Sequence, residues 1–255
     1  MKNPAKFGIF AALAISYCSI AVAQESRLIE EDGASGILVV PAKVPAPLIF
    51  VLHSARGSVM PADLEYAKVL AREGFVAFAI NYKSGGPGAT WVKTFEKLAQ
   101  QQPEVANMPW GAIGFSAGGP LTFWMAAGAP RKFKAVVSYY GTYDFTTSPV
   151  SGMKSSSTKG SPLYMLDRFN VAALLLHGGK DTEVPVEMVE RMKAAMGAKG
   201  MPVESVIYPN CFHAFDRGSE GFSDVTRNFT YLEYNDTCAT DAQARTIAWF
   251  KTHLK

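Results

Sequence analysis

Trp110-Gly-Ala-Ile-Gly-Phe-Ser-Ala-Gly-Gly-Pro120 decides how this chain is read. Trp110 to Phe115 is apolar and of strand length, and a helix-compatible run begins at Pro120. At the junction stands Gly114-Phe-Ser-Ala-Gly118. A strand-to-helix turn this sharp forces a strained backbone on Ser116, and the flanking glycines remove side chains that would clash there. The turn therefore presents Ser116 Oγ at the C-terminal edge of a sheet, beside a helix N-terminus. A serine hydroxyl is a poor nucleophile at its free pKa, so it needs a base, and the base needs an acid to orient it.

Outward from this turn, strands and helices alternate. Residues 47–53 form a continuous apolar run ending in the turn-like Ser54-Ala-Arg-Gly-Ser58. Residues 61–73 place Leu64, Ala67, Leu70 and Ala71 at helical spacing, and Gly74 ends them. The same reading predicts strands over 75–80, 135–140, 172–177 and 203–208. It predicts helices over 90–102, 120–127, 186–198 and 241–254. Strands apolar on both faces and alternating with helices imply a mostly parallel central sheet covered on both sides, an α/β fold. No boundary divides residues 24–255, which read as a single domain. The loop-rich stretch 146–161 reads as a lid over a site.

Four histidines are candidates for the base. His253 sits on the closing helix, beyond any sheet edge. His53 and His177 end strands but precede tight turns that limit their reach. His213, in Pro209-Asn-Cys-Phe-His-Ala-Phe215, follows the last strand on a loop free to fold back over Ser116. Asp181, in His177-Gly-Gly-Lys-Asp181, follows a buried strand and is the first choice of acid, with Asp144 its rival. The order Ser, Asp, His along the chain supports the set. Glu183 is close by and is expected to face solvent. Two backbone N–H groups must meet the developing oxyanion. Ala117 is expected to supply one and Ala55 the other. Ser54 and Arg56 flank that turn as candidate substrate contacts, although Arg56 reads equally as a surface charge. Tyr139, Tyr140 and Phe215 either contact a ring-bearing substrate or belong to the core.

Residues 1–23 read as a signal peptide. Lys2 and Lys6 precede an apolar stretch from Phe7 to Val22, and Ala21-Val22-Ala23 offers a small-x-small cleavage pattern before Gln24. The stretch is too short and wrongly flanked for a stable membrane span. The alternative is an uncleaved N-terminal anchor. The expected location is the periplasm or the exterior. Of three cysteines, Cys18 falls in this segment, leaving Cys211 and Cys238, an even pair in an oxidising compartment. A disulfide between them is expected; two buried thiols are the alternative.

The 255 residues are 48% hydrophobic and 18% charged, which excludes a disordered chain. Lys and Arg number 25 against 22 Asp and Glu; without Lys2 and Lys6 the balance falls to 23 against 22, so no nucleic-acid partner is indicated. There is no His-x-x-x-His, no Cys-x-x-Cys and no phosphate-cradling loop, so neither metal nor cofactor is expected. Nothing in the sequence speaks to oligomeric state.

From about Gly36 to the C-terminus the chain resembles the dienelactone hydrolase family of α/β-hydrolases. The resemblance rests on His53 to Gly57, Gly114-Phe-Ser-Ala-Gly-Gly119, Ser138-Tyr-Tyr-Gly141, His177-Gly-Gly-Lys-Asp181, Tyr208-Pro-Asn-Cys-Phe-His-Ala-Phe215 and the closing helix. It implies Ser116, Asp181 and His213 as the triad, and Ala55 with Ala117 as the oxyanion hole. Members that open dienelactones carry a cysteine nucleophile and a glutamate in the first turn; here stand Ser116 and Ser54. The expected reaction is therefore hydrolysis of another carboxylic ester, from a small molecule or a polymer, through an acyl-enzyme. Ser161-Pro-Leu163 is similar to the catalytic domains of the prolyl oligopeptidase group, so a small exopeptidase or amidase is the second expectation. A binding protein on a hydrolase scaffold is the third.

Overall fold

Five consecutive parallel strands carry almost nothing but apolar side chains, and two helix layers cover them. The computed structural model describes residues 25–55, 57–85, 90–148, 154–217 and 233–255. The signal peptide expected at 1–23, Arg56 and residues 149–153 of the lid-like loop lie outside the described residues. In chain order the elements are β1 (Glu25–Glu31), β2 (Ala34–Val40), β3 (Leu48–Leu52), α1 (Pro61–Arg72), β4 (Val76–Ile80), α2 (Thr90–Gln100) and β5 (Trp110–Phe115). There follow α3 (Gly118–Gly128), β6 (Phe133–Tyr139), β7 (Ala172–Gly178), α4 (Glu187–Ala198), β8 (Val203–Tyr208) and α5 (Asp236–His253). The sheet order is β1-β2-β4-β3-β5-β6-β7-β8. All pairings from β4 to β8 are parallel, while β1–β2 and β2–β4 are antiparallel.

The period of two along each strand sorts side chains into two cores. Phe50, Phe78, Trp110 and Phe133 face α2, α3 and α4, where Phe95, Phe123 and Met192 meet them. Ile49, Val51, Phe115 and Tyr139 face the other way, toward Tyr66 and Leu70 of α1 and Trp249 and Phe250 of α5. Phe50 alone packs against Phe78, Trp110 and Phe133, with ring centroids 5.6 to 5.9 Å apart. Truncating such a ring to alanine costs about 3–5 kcal/mol.

The antiparallel edge is the element absent from the sequence reading. Glu25-Ser-Arg-Leu-Ile-Glu-Glu31 is polar, and its largely exposed strand gives no apolar run. Its turn was nevertheless written in the sequence. Asp32 and Gly33 have φ of 52° and 82°, between the paired Glu31 and Ala34, and Asp-Gly is a strong hairpin signal. Helix limits also shift. Helix α3 starts at Gly118, with Pro120 in its first turn, and α5 starts at Asp236, where the Asn235 side chain caps Cys238 N–H at 3.1 Å.

Candidate active site

Two close approaches build the turn at Ser116. A Cβ at Gly114 would stand 2.1 Å from the Gly118 carbonyl oxygen, and one at Gly118 only 2.4 Å from that of Leu52. Strand β5, the start of α3 and the end of β3 are therefore packed backbone to backbone. Ser116 adopts φ of 51°, costing of order 1–3 kcal/mol, and its neighbours hold it there. Its N–H donates to Tyr139 O at 3.0 Å, and its carbonyl accepts from Gly119 N–H at 2.8 Å. Tyr140 and Ala214, at φ of 40° and 56°, are likewise left-handed and flank the same sheet edge.

The loops after β7 and β8 are tied together by their backbones. Gly179 N–H donates to Tyr208 O at 2.7 Å and Lys180 N–H to Cys211 O at 2.9 Å. That pairing brings Asp181 and His213 into contact across 32 residues. His213 Nδ1 stands 2.8 Å from Asp181 Oδ2, and Nε2 stands 3.0 Å from Ser116 Oγ. With Nδ1–H donating to the carboxylate, Nε2 is left to accept from the serine hydroxyl. Burial opposes a charge on the His213 ring, but the Asp181 carboxylate, with Glu183 and Asp216 beyond it, outweighs burial and raises its pKa. Burial likewise works against the Asp181 charge; His213, His177 and the Val184 N–H outweigh it and hold the carboxyl below its usual range.

Asp181 is completely enclosed. Its Oδ1 accepts from Glu183 N–H and Val184 N–H, both at 2.8 Å, and His177 Nε2 lies 3.3 Å from Oδ2. His177 Nε2–H donates to Val184 O at 2.8 Å, and burial lowers the pKa of this ring against the pull of Asp181. His177 thus stands behind the acid. His53 is also buried; its Nδ1–H donates to Ser54 O at 2.6 Å and its ring stacks on Tyr82. His253 packs on Trp249 at the end of α5.

The rival acid Asp144 is engaged elsewhere. It accepts from Arg191 at 2.8 Å and from Thr146 through both N–H and hydroxyl. Burial opposes its charge, yet Thr146 and Arg191 draw its pKa down to about 2. It anchors the start of the 146–161 loop to α4 and makes no contact with His213. Tyr139 and Phe215 sit in the core and not in a substrate wall. Tyr139 is fully buried with its hydroxyl between Tyr66 and Thr246, and Phe215 packs among Tyr139, Tyr140 and Tyr208. Tyr140 is buried too, its ring against His213 at 4.6 Å and its hydroxyl donating to Asp216. These three rings point inward because β6 and the His213 loop pack on the α1–α5 layer.

Ala117 caps the N-terminus of α3, where the first N–H groups have no intrahelical acceptor. Ala55 is exposed on the turn after β3, and Lys83 Nζ donates to its carbonyl at 3.2 Å. The approach of Gly118 to Leu52 and His53 sets these two turns side by side. Ser54 is half-buried, its carbonyl taken by His53 and Tyr82.

Glu183, expected to face solvent, and a buried ion network depart from the sequence-based expectation. Glu183 turns toward the base, its Oε2 3.6 Å from His213 Nε2. Arg217 donates to Asp63 at 2.7 Å, lies over the Phe115 ring and stands 3.6 Å from Asp216. Asp216 and Arg217, four residues or fewer beyond His213, were visible as charges in an apolar loop; their burial was not. Cys211 and Cys238 form a disulfide, tying that loop to the first turn of α5. Among the described residues no cluster of three or more His, Cys, Asp or Glu could hold a metal ion, and no helix is long and apolar enough to cross a membrane.

Residues 91–254 match the pattern of the dienelactone hydrolase family. The chain belongs to the dienelactone hydrolase family. This member is 32% identical over 141 residues to a "Putative carboxymethylenebutenolidase" of Escherichia coli, covering 55% of this chain and 45% of the relative. It therefore spans about half the length of the curated relatives it matches. Among solved structures, it aligns at TM-score 0.69 and 24% identity with a putative dienelactone hydrolase from Klebsiella pneumoniae, over 91% of this chain and 99% of the other. The acylaminoacyl peptidase of Pyrococcus horikoshii aligns at TM-score 0.72 and 16% identity, over 91% of this chain and 42% of that one. At such identities the likeness is one of fold: an eight-stranded, mostly parallel sheet with helices on both faces.

Proposed function

We propose that this family member is an exported serine hydrolase that cleaves carboxylic esters, with Ser116 as nucleophile, His213 as base and Asp181 as its orienting acid. The unbroken hydrogen-bond chain Asp181–His213–Ser116 carries the reading. Ser116 Oγ attacks the ester carbonyl carbon while His213 Nε2 takes the hydroxyl proton. The negative charge on the carbonyl oxygen falls between the N–H groups of Ala117 and Ala55. Collapse expels the alcohol, which leaves with the proton from Nε2. Water then attacks the acyl-enzyme through the same base and releases the acid. The signal-like residues 1–23 and the Cys211–Cys238 disulfide support export.

The dienelactone-type substrate suggested by the relatives' name is not our choice, because Ser116 and Ser54 stand where lactone-opening members are expected to carry cysteine and glutamate. The likeness to an acylaminoacyl peptidase favours a second reading, amide cleavage by the same three residues. Turnover of p-nitrophenyl acetate, butyrate and octanoate beside aminoacyl anilides, with Ser116→Ala as control, separates the two. Ester turnover that collapses in the variant, with labelling of Ser116 by a fluorophosphonate, is the expected result. Turnover that survives Ser116→Ala overturns the proposal.

A further inference from the structure

The carboxylate of Glu183 reaches the one nitrogen through which protons pass during catalysis. We propose that Glu183 determines specificity by setting the sign of charge at the leaving-group side, favouring esters whose alcohol part carries a cation over those whose alcohol part carries a carboxylate. The inference rests on the hydrolytic reading above and extends it to substrate class.

Geometry places the group. His213 Nε2 must protonate the departing oxygen, so that oxygen comes within hydrogen-bond reach of it. Glu183 Oε2 lies 3.6 Å from the same nitrogen, which puts it beside the first atoms of the alcohol. Its backbone N–H is pinned to Asp181 Oδ1 at 2.8 Å, so its position is fixed by the same turn that holds the acid. The two carboxylates differ in exposure. The Asp181 side chain is fully enclosed and its oxygens accept from His213 and two N–H groups, with His177 Nε2 3.3 Å away, so its charge is directed at the base. The Glu183 side chain is 31% exposed, and it forms an ion pair with His213 only when that ring is protonated. Among the described residues, Lys180 of the same turn lies over the Phe212 ring, and Lys83 donates to the Ala55 carbonyl. A substrate approaching Nε2 therefore meets negative charge there.

The interaction acts on ground and transition states through a short path partly walled from water. A full charge on the alcohol within about 6 Å of Glu183 shifts kcat/KM by about tenfold in each direction. Glu183 also faces the imidazolium formed during the reaction, with Asp181, Asp216, His177 and Tyr140 as its other polar neighbours.

The test uses acetyl esters of phenol, of meta-hydroxybenzoate and of meta-hydroxyphenyltrimethylammonium, with purified protein, Glu183→Gln and Glu183→Lys. The measured quantity is the ratio of kcat/KM values between esters, in which any change in common rate cancels. Wild type is expected to rank cationic above neutral above anionic, with added salt compressing the ratios. Glu183→Gln should bring the cationic-to-anionic ratio down at least about tenfold, and Glu183→Lys should invert it. An unchanged ratio in Glu183→Gln, or salt-independent ratios in wild type, overturns this inference alone. No hydrolysis of any of the three by wild type, with no fluorophosphonate labelling, overturns the ester reading and this inference with it.

Discussion

The Arg217 guanidinium lies 3.7 Å from the centre of the Phe115 ring and donates to Asp63 Oδ1 at 2.7 Å. Phe115 precedes Ser116, Asp63 belongs to the first turn of α1, and Arg217 follows His213 by four residues. One buried cation thus ties the nucleophile's strand, a helix and the base's loop together. Because Asp63 is buried, removing its partner leaves an uncompensated charge in the interior. Arg217→Met should lower unfolding free energy by about 3–5 kcal/mol in urea titration, and Arg217→Met with Asp63→Leu should recover much of it. A loss below about 1 kcal/mol in the single variant would show that Asp63 finds another partner or protonates.

Activity should fall as pH drops through a value above the ordinary 6.5 of histidine, because His213 must be neutral to accept the serine proton and Asp181 raises its pKa. Asp181→Asn should move that limb down and lower kcat by about 10³–10⁴. Asp144→Asn should leave the limb in place, since Asp144 pairs with Arg191. The linkage to stability has opposite signs for the pair. The raised His213 pKa stabilises the fold below its unfolded value, and that contribution is lost as pH rises through the folded value. The lowered Asp181 pKa stabilises above its unfolded value and is lost as pH falls through the folded one. A kcat/KM limb at or below 6.5 in wild type, or one that Asp181→Asn leaves unmoved, is the contrary result.

The Cys211–Cys238 bond closes 27 residues and anchors the segment that carries His213. In the chain-entropy account such a loop contributes about 3 kcal/mol. Cys238→Ser should lower stability by about this amount and reduce activity disproportionately, since the base's loop loses its tie to α5. Thiol titration of native protein should find neither cysteine free before reduction. Two free thiols would remove the brace from the argument.

The glycines offer a matched pair. Gly118→Ala drives a Cβ to within 2.4 Å of Leu52 O and 2.6 Å of His53 O, and should cost at least about 3 kcal/mol and the activity with it. Gly197, near the end of α4, has nothing within 4 Å of its Cβ position, so Gly197→Ala should stabilise by about 0.5–1 kcal/mol. Thermal melts of the two variants should move in opposite directions; movement in the same direction would contradict the packing at the turn.

The sequence by itself determined the alternation of strands and helices, the parallel sheet and the turn at Ser116. Each is local: an apolar run such as Ala172-Ala-Leu-Leu-Leu176, a helical spacing such as Leu64–Ala67–Leu70–Ala71, or glycines flanking a serine are signals within a dozen residues. The turn of the β1–β2 hairpin is legible too, at Asp32-Gly33, but the polar, largely exposed β1 gives no strand signal beside it. Which residues converge depended on contacts across the chain, and tertiary structure alone decided them. Asp181 rather than Asp144 meets His213 because the loops after β7 and β8 share backbone hydrogen bonds, while Asp144 is captured by Arg191. Tyr139 and Phe215 are aromatic in any reading, and only the α1–α5 layer packed against β6 shows that they face inward. Glu183 reads as solvated because charge normally seeks water; the turn that encloses Asp181 brings its side chain to the base.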